Sequence, residues 1–456
     1  MNTKIKLTNT KQIAKKICVI GTWHLGCIVS SCLAEMGNIV HGIDFDKKTI
    51  SNLQRGIPPL YEPNLEPLIK KNIKNGRLKF FQDFKSALKE ADFIFITFDT
   101  PVNDKDKSDL KPIFNACKEI ANHIDSNKPY IVVSSQIPVG TCKQLKKFIS
   151  KINPNLKPDI LYNPENLRLG KAIDTFMLPD RIVIGAEKKE IAKKLIFLYK
   201  QIKCPKFAMS LESAEMVKHA LNSYLATSIS FINEIANLCE TTQANICDVV
   251  LALKSDKRIG KQAFLSPGLG FAGGTLARDL QVLLSVGKKN KIETKMIQAT
   301  LDVNRKRPRH VLNKIRKFFQ KLKGLNAGIL GLTYKPGTST LRRSISIELA
   351  KEMLKRGIKV KAYDPKISKW PNGISCKKNI SLSTTPYGAA KGSHFLLIAT
   401  EWSEFKNLDF NRIRKLMVKP NSNNKKPILI DTKNMLNPAP ILKEGFEYLG
   451  TGISLK

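Results

Sequence analysis

Short apolar runs recur through the first half of the chain, each followed by a stretch with mixed, helix-like spacing. KICVIG (16–21), NIVHGID (38–44), LKFF (78–81), DFIFITF (92–98), YIVVSS (130–135), DILYN (159–163) and RIVIGA (181–186) read as strands. Several are continuously apolar, as strands covered by helices on both faces must be. From about residue 210 the period lengthens: Val217, Leu221, Tyr224, Leu225, Ile229, Ile232 and Ile235 recur at three- and four-residue steps. That pattern predicts a long amphipathic helix, suited to a spine between domains or a dimer seam. Alternation then restarts with NAGILGL (326–332), VKAYDP (360–365), HFLLIAT (394–400) and PILIDT (427–432), and SISIELAKEMLKRG (344–357) reads as a helix with its glycine stop.

Strand–helix alternation on both sides of one long helix predicts an α/β protein of two doubly wound, Rossmann-like domains joined by a central helix. The expected divisions are 14–205, 206–314 and 315–456, three parts for 456 residues, in line with roughly 150 residues per domain. At 42% hydrophobic and 25% charged residues the composition suits a core-forming protein and excludes a disordered or fibrous one. No apolar run reaches the roughly 18–20 residues of a membrane span. The basic start MNTKIKLTNTKQIAKK has no cleavage pattern after it, so a cytoplasmic protein is expected. Nine cysteines without a CxxC pair point to reduced thiols and to no metal site. Net charge is the outlier: Lys and Arg number 77 against 38 Asp and Glu, giving +39. It is spread over KKNIKNGR, KKEIAKK, RKRPRH and RKFFQKLK. Such a field attracts anions. Neither zinc-finger spacing nor an aromatic–basic RNA motif accompanies it, so a lysine-rich surface is expected and not a nucleic-acid partner.

Chemistry enters with VIGTWHLG, which follows the first strand and opens a helix. A dinucleotide-binding turn requires that context. Gly21 supplies the tight turn, Gly26 lets the helix pack closely, and the intervening backbone through Trp23 and Leu25 offers amides to a pyrophosphate at a helix N-terminus. Asp44 ends the second strand about 18 residues on, where an acid accepts from ribose hydroxyls and favours NAD over NADP. Trp23 stands where G-x-G-x-x-G has its middle glycine, so the cofactor must shift or the indole must turn away.

Further segments extend the pattern: PPLYEPNLEPLI (58–69), Thr100-Pro101 followed by Asp109-Leu110, PVGT (138–141), NPENLRLGKAIDTFMLPDRIVIG (163–185), SAEMVKHALNSYLATSISFINEI (213–235), KRIG (257–260), LGLTYKPGTSTLRRS (330–344), YDP (363–365), TEW (400–402) and DTKN (431–434). In this order they resemble the UDP-glucose/GDP-mannose dehydrogenase family, the nucleotide-sugar dehydrogenases that oxidise a sugar's 6-hydroxyl. The resemblance implies an N-terminal NAD domain, a central helical part used in homodimer formation, and a C-terminal domain that binds the nucleotide diphosphate. It implies a nucleotide-sugar substrate, with a UDP-hexose the commoner branch, and a role in polysaccharide or modified-sugar synthesis. Matched residue by residue, Thr100 and Pro101 join the cofactor site, and Glu165, Lys218, Asn222 and Asp279 join the catalytic site. Arg278, Lys335 and Arg342 would contact substrate. Lys218 and Asn222 lie four apart, on one side of a helix. A lysine there suits proton removal or alkoxide stabilisation, with an amide to donate beside it.

One departure is decisive. In GLGFAGGTLARDL (268–280) the family's nucleophilic cysteine, four residues before the aspartate, is Thr275, and the nearest cysteines in sequence are Cys247 and Cys376. A hydroxyl lacks the accessible pKa that makes a thiolate a nucleophile. Gln136, Leu169, Ser339, Thr340 and Arg343 depart as well. A divergent dehydrogenase without the cysteine is expected, ending at the aldehyde or at the uronic acid. The alternative is a non-catalytic nucleotide-sugar binder on the same fold.

Overall fold

The computed structural model describes residues 13–100, 108–371, 378–418 and 426–454. The chain divides into two compact units, one ending at Ala220 and one starting at Leu221.

In the first unit, β1 (Lys16–Ile20), β2 (Ile39–Ile43), β3 (Leu78–Phe81), β4 (Phe93–Ile96), β5 (Tyr130–Val133), β6 (Ile160–Tyr162), β7 (Ile182–Ala186) and β8 (Lys206–Met209) form one sheet. Its order is β3-β2-β1-β4-β5-β6-β7-β8, parallel throughout except at β6–β7. The apolar runs are continuous because both faces are covered. Ile17 and Val19 of β1 join one core with Leu33 and Phe95. Cys18 and Ile20 join another, on the opposite face, with Ile94 and Ile131. Each fully buried aliphatic side chain contributes roughly 1.5–3 kcal/mol, which an alternating strand would forgo on one face. The order reverses beside β1, and in such sheets ligands bind at the carboxyl ends of the strands flanking the reversal. The first helix (His24–Glu35) starts after a three-residue turn from β1, and the helices Leu65–Lys74 and Ala172–Met177 pack on it.

In the second unit, β9 (Asn326–Leu330), β10 (Lys359–Tyr363), β11 (Ile380–Leu382), β12 (Phe395–Ile398), β13 (Ile428–Asp431) and β14 (Glu447–Gly450) form a sheet of order β11-β10-β9-β12-β13-β14. Every pair is parallel. Ala327, Ile329, Phe395 and Leu397 face one core, and Leu330, Leu396 and Ile398 the other. Helices Thr275–Lys289 and Lys295–Arg316 precede this sheet.

The long helix spans Leu211–Thr242, beginning in the first unit and ending in the second. The α/β class, with two doubly wound sheets and a long central helix, is therefore as the residue pattern predicts. Among the described residues, no helix is long and apolar enough to cross a membrane.

Candidate active site

The turn after β1 is built to put backbone, not side chain, at the mouth of the sheet. Gly21 has φ +94°, its amide donates to the Ile43 carbonyl at 2.8 Å, and Thr97 Oγ1 donates to the Gly21 carbonyl at 2.8 Å. A Cβ on Gly26 would lie 1.9 Å from that same carbonyl oxygen, so only glycine lets the first helix approach this closely. Trp23 precedes the helix at φ −73°, an ordinary backbone angle, and its side chain is 46% exposed, turned out of the core. The middle position therefore keeps its amide geometry without a glycine. Leu25 buries its side chain in the core and brings its first-turn amide, which has no intrahelical acceptor. Asp44, half-buried at the end of β2, accepts from the Thr22 amide at 2.6 Å and the Asp46 amide at 3.1 Å. A carboxylate has roughly four lone-pair positions, so acceptor capacity is left for ribose hydroxyls. Thr100 is buried and donates to the Gln136 carbonyl at 2.9 Å; Pro101 lies outside the described residues. The turn, helix start and terminal acid fit a dinucleotide.

The same unit holds the first pair of candidate residues. Lys218, on the long helix, is 4% exposed. Its ammonium lies 3.1 Å from Glu165 Oε1 and also donates to the Glu165 carbonyl. The second carboxylate oxygen of Glu165 accepts from the Leu167 amide at 3.0 Å. Leu25, Val29, Glu165, Leu167 and Phe176 line one small cavity. A buried ammonium beside a partly solvated carboxylate is an arrangement that can hand a proton to the carboxylate and leave an amine free to take another.

The second pair of candidate residues belongs to the second unit. Asn222, one turn beyond Lys218 on the long helix, donates through Nδ2 to Asp279, which is fully buried. Thr275 is exposed and is the first residue of its helix, after Gly274 at the cap position. Arg278 is half-buried in the first turn of that helix. Lys335 and Arg342 sit on the 331–344 loop, Lys335 with its ammonium 5.7 Å from the Tyr334 ring centre and Arg342 exposed. Among the described residues of this unit the cysteines are Cys239, which is buried, and Cys247, whose sulfur accepts from Asn434 at 3.8 Å. Neither is on the Thr275 segment, and Cys376 lies outside the described residues.

Several supporting residues escape sequence reasoning. The Phe271 amide donates to Asn304 Oδ1 at 2.8 Å, and Asn304 Nδ2 returns to the Phe271 carbonyl at 3.0 Å. Arg307 Nε donates to the Gly268 carbonyl at 2.9 Å, and the Gly268 amide to Asn233 Oδ1 at 2.8 Å. These groups set the loop that leads into Thr275. Arg307 belongs to RKRPRH, read above as surface charge, yet it is 2% exposed. Burial lowers its pKa to about 10, against the opposing pull of Glu240. Neighbouring lysines and arginines disguise one buried guanidinium, and only its spacing from Asn304 on one helix face signals it. In the first unit the acid of Tyr-Glu-Pro, Glu62, is buried among backbone amides, a placement its motif marks but does not explain.

Three family models match the chain in order. Residues 15–203 match the NAD binding domain of the UDP-glucose/GDP-mannose dehydrogenase family, 212–306 its central domain and 328–438 its UDP binding domain. The chain belongs to this family. Among its relatives, the Bacillus subtilis UDP-glucose 6-dehydrogenase TuaD is 34% identical over 96% of this chain and 93% of that protein. The Rickettsia conorii UDP-glucose 6-dehydrogenase is 36% identical over 96% of this chain and 99% of that protein. A solved UDP-glucose dehydrogenase from Pyrobaculum islandicum superposes with a TM-score of 0.86 at 28% identity, covering 99% of this chain and 100% of that one. As a family member the chain is an NAD-dependent nucleotide-sugar dehydrogenase, and membership does not favour the binding-only alternative.

Proposed function

We propose that this chain oxidises the C6 hydroxyl of a UDP-hexose with NAD as hydride acceptor, as a homodimer in the cytoplasm, and feeds polysaccharide or modified-sugar synthesis. The observation that carries the reading is the buried Lys218 ammonium held 3.1 Å from the Glu165 carboxylate. The named activities of the Bacillus and Rickettsia relatives support the substrate, as does the UDP binding model over 328–438. We assign 14–205 to NAD binding, 206–314 to the helical, dimer-forming part and 315–456 to UDP binding.

In this reading Gly21, Trp23, Leu25, Gly26 and Asp44, with Thr100 and Pro101, would hold NAD, which would supply the two-electron acceptor. The Lys218 ammonium first passes a proton to the Glu165 carboxylate, which releases it toward solvent; the neutral amine then takes the hydroxyl proton as hydride leaves C6. Asn222 has two amide hydrogens, so one can serve Asp279 while the other stabilises the developing alkoxide. Arg278, Lys335 and Arg342 hold the diphosphate through charge-assisted hydrogen bonds. Thr275 offers a hydroxyl at the start of its helix, where the product carbonyl would meet the first-turn amides. Without a thiolate there, a second oxidation requires water as the nucleophile, activated by Glu165 or Asp279.

The test is NADH formation with a panel of UDP-, GDP- and dTDP-hexoses, with product mass measured in parallel. One NADH per sugar means arrest at the aldehyde, and two mean a water-dependent route to the acid. No NADH with any of these sugars overturns the reading. Support for the dimer comes from Tyr224, Phe231 and Leu238, exposed at seven-residue spacing on the long helix, the spacing of a helix–helix seam. A monomer by sedimentation overturns that part. Cytoplasmic placement draws support from eight described cysteines that are all free, as thiols remain in a reducing compartment.

A further inference from the structure

A buried carboxylate outside the candidate pairs joins two parts of the first unit. Glu62, between the helices Lys47–Gln54 and Leu65–Lys74, is 3% exposed. One oxygen lies 2.9 Å from His24 Nε2 and accepts from the Gly170 amide at 2.9 Å; the other accepts from the Ala172 amide at 2.8 Å. His24 opens the first helix, directly after Trp23. Gly170 and Ala172 end the segment that starts at Asn163 and carries Glu165, and Ala172 begins the short helix Ala172–Met177. Gly170 has φ +85°, so the chain turns sharply there and presents its amide to the carboxylate. A buried carboxylate needs its lone pairs filled, and here two backbone amides and one imidazole fill them.

We propose that His24 and Glu62 are positioning residues: a strut that ties the cofactor-binding start of the first helix to the segment carrying Glu165. Glu62 cannot shift without losing the Gly170 and Ala172 amides. His24 cannot shift without dragging Glu62. Cofactor seated on the first-turn amides therefore steadies the segment that aims Glu165 at Lys218. The inference rests on the reading of Glu165 and Lys218 as the proton-handling pair, but its own contacts do not require turnover.

The experiment uses the full chain and the variants Glu62→Gln, His24→Leu and His24→Gln. Hydrogen exchange at the Gly170 and Ala172 amides is followed with and without NAD, and NAD affinity is followed by calorimetry or by Trp23 fluorescence. In the unaltered chain NAD slows exchange at both amides. In Glu62→Gln and His24→Leu that protection disappears and NAD affinity falls about tenfold, the scale of one lost charge-assisted hydrogen bond. His24→Gln, which keeps a donor toward Glu62, restores both. In steady state the first two variants lose kcat while KM for the nucleotide sugar holds. The inference is overturned if NAD protects the two amides equally in all variants, or if His24→Gln behaves as His24→Leu. Failure to reduce NAD with any sugar would remove the function proposed above, and the exchange result would still decide the strut.

Discussion

The two sheets place β1 and β9 in the same position, each at a reversal of strand order, yet they prepare that position differently. Gly21 and Gly331 share φ +94°, and each amide donates to the last residue of the neighbouring strand, Ile43 at 2.8 Å and Tyr363 at 2.7 Å. After Gly21 a helix begins at His24; after Gly331 the chain runs to Ser344 before the helix Ile345–Lys355. The acids that end the second strands differ as well. Asp44 is half-buried and holds the Thr22 and Asp46 amides. Asp364 is 2% exposed and accepts from the Leu332 and Thr333 amides, the Thr333 hydroxyl, the Lys366 amide and the Trp402 indole. One sheet has a helix terminus of the kind that suits a pyrophosphate, and an acid with acceptor capacity left for hydroxyls. The other commits its acid to its own loop, on which Lys335 and Arg342 lie. Equivalent topology thus leaves two differently prepared turns, one with a helix start close behind the glycine and one with a long loop.

Gly26→Ala breaks the first arrangement most severely. A methyl carbon 1.9 Å from the Gly21 carbonyl oxygen forces the helix away from the turn. NAD affinity should fall by at least about a hundredfold, and the first unit should lose on the order of 2–4 kcal/mol. Calorimetric titration with NAD and with UDP checks it. Equal loss of UDP affinity would show that the two cradles are not separate.

The paired acids come next. Asp364→Asn removes the charge that five donors share, and should destabilise the second unit by roughly 2–3 kcal/mol in a thermal melt. Asp44→Asn should leave the melt within about 1 kcal/mol while lowering NAD affinity about tenfold. If the two variants exchange these effects, the contrast between a ligand-binding acid and a structural one is wrong.

Most of this frame is legible before any coordinates. Continuous apolar runs mark strands buried on both faces, and three- and four-residue spacing marks the long helix, because both signals are local. The roles that stay hidden depend on distance in sequence. Asp364 and Asp44 sit at equivalent places in YDP and GID, and only the third dimension fills one carboxylate and leaves the other partly open. His24 and Glu62 are 38 residues apart, and Glu62 and Ala172 are 110 apart. Neither spacing leaves a periodic trace. Trp23 reads as a defect in a glycine pattern, although its backbone angle never required glycine.

Arg342→Ala should raise KM for the nucleotide sugar about tenfold, one charge-assisted contact, with little effect on the melt because the side chain is exposed. The two cradles should also differ in salt. Side-chain cations in solvent are screened with a Debye length of about 8 Å at physiological ionic strength. The KM for sugar should therefore rise with added salt more steeply than the KM for NAD, which relies on backbone amides. Equal salt slopes would mean that Lys335 and Arg342 do not hold the diphosphate.

The smallest expected difference is in acid stability, and it runs in opposite directions in the two units. Glu240, in the second unit, would be raised by burial, but hydrogen bonds from His310 at 3.0 Å, Lys314 at 2.6 Å and the Gly452 amide at 2.8 Å hold it at about 2. A carboxyl lowered on folding contributes stability that is complete well above its ordinary value of 4.5 and drains away as pH falls toward 2. Near pH 4 the loss is already about 1 kcal/mol. Glu215, in the first unit, goes the other way: burial raises it, despite the amides of Gly140 and Cys142. Its ionised form opposes folding, so protonation in mild acid relieves the first unit while it begins to strain the second. Between neutral pH and pH 4 the transition of the second unit should therefore move to lower temperature relative to that of the first. Glu240→Gln should flatten that difference, and calorimetric scans showing both transitions falling together with pH would remove these two glutamates as its source.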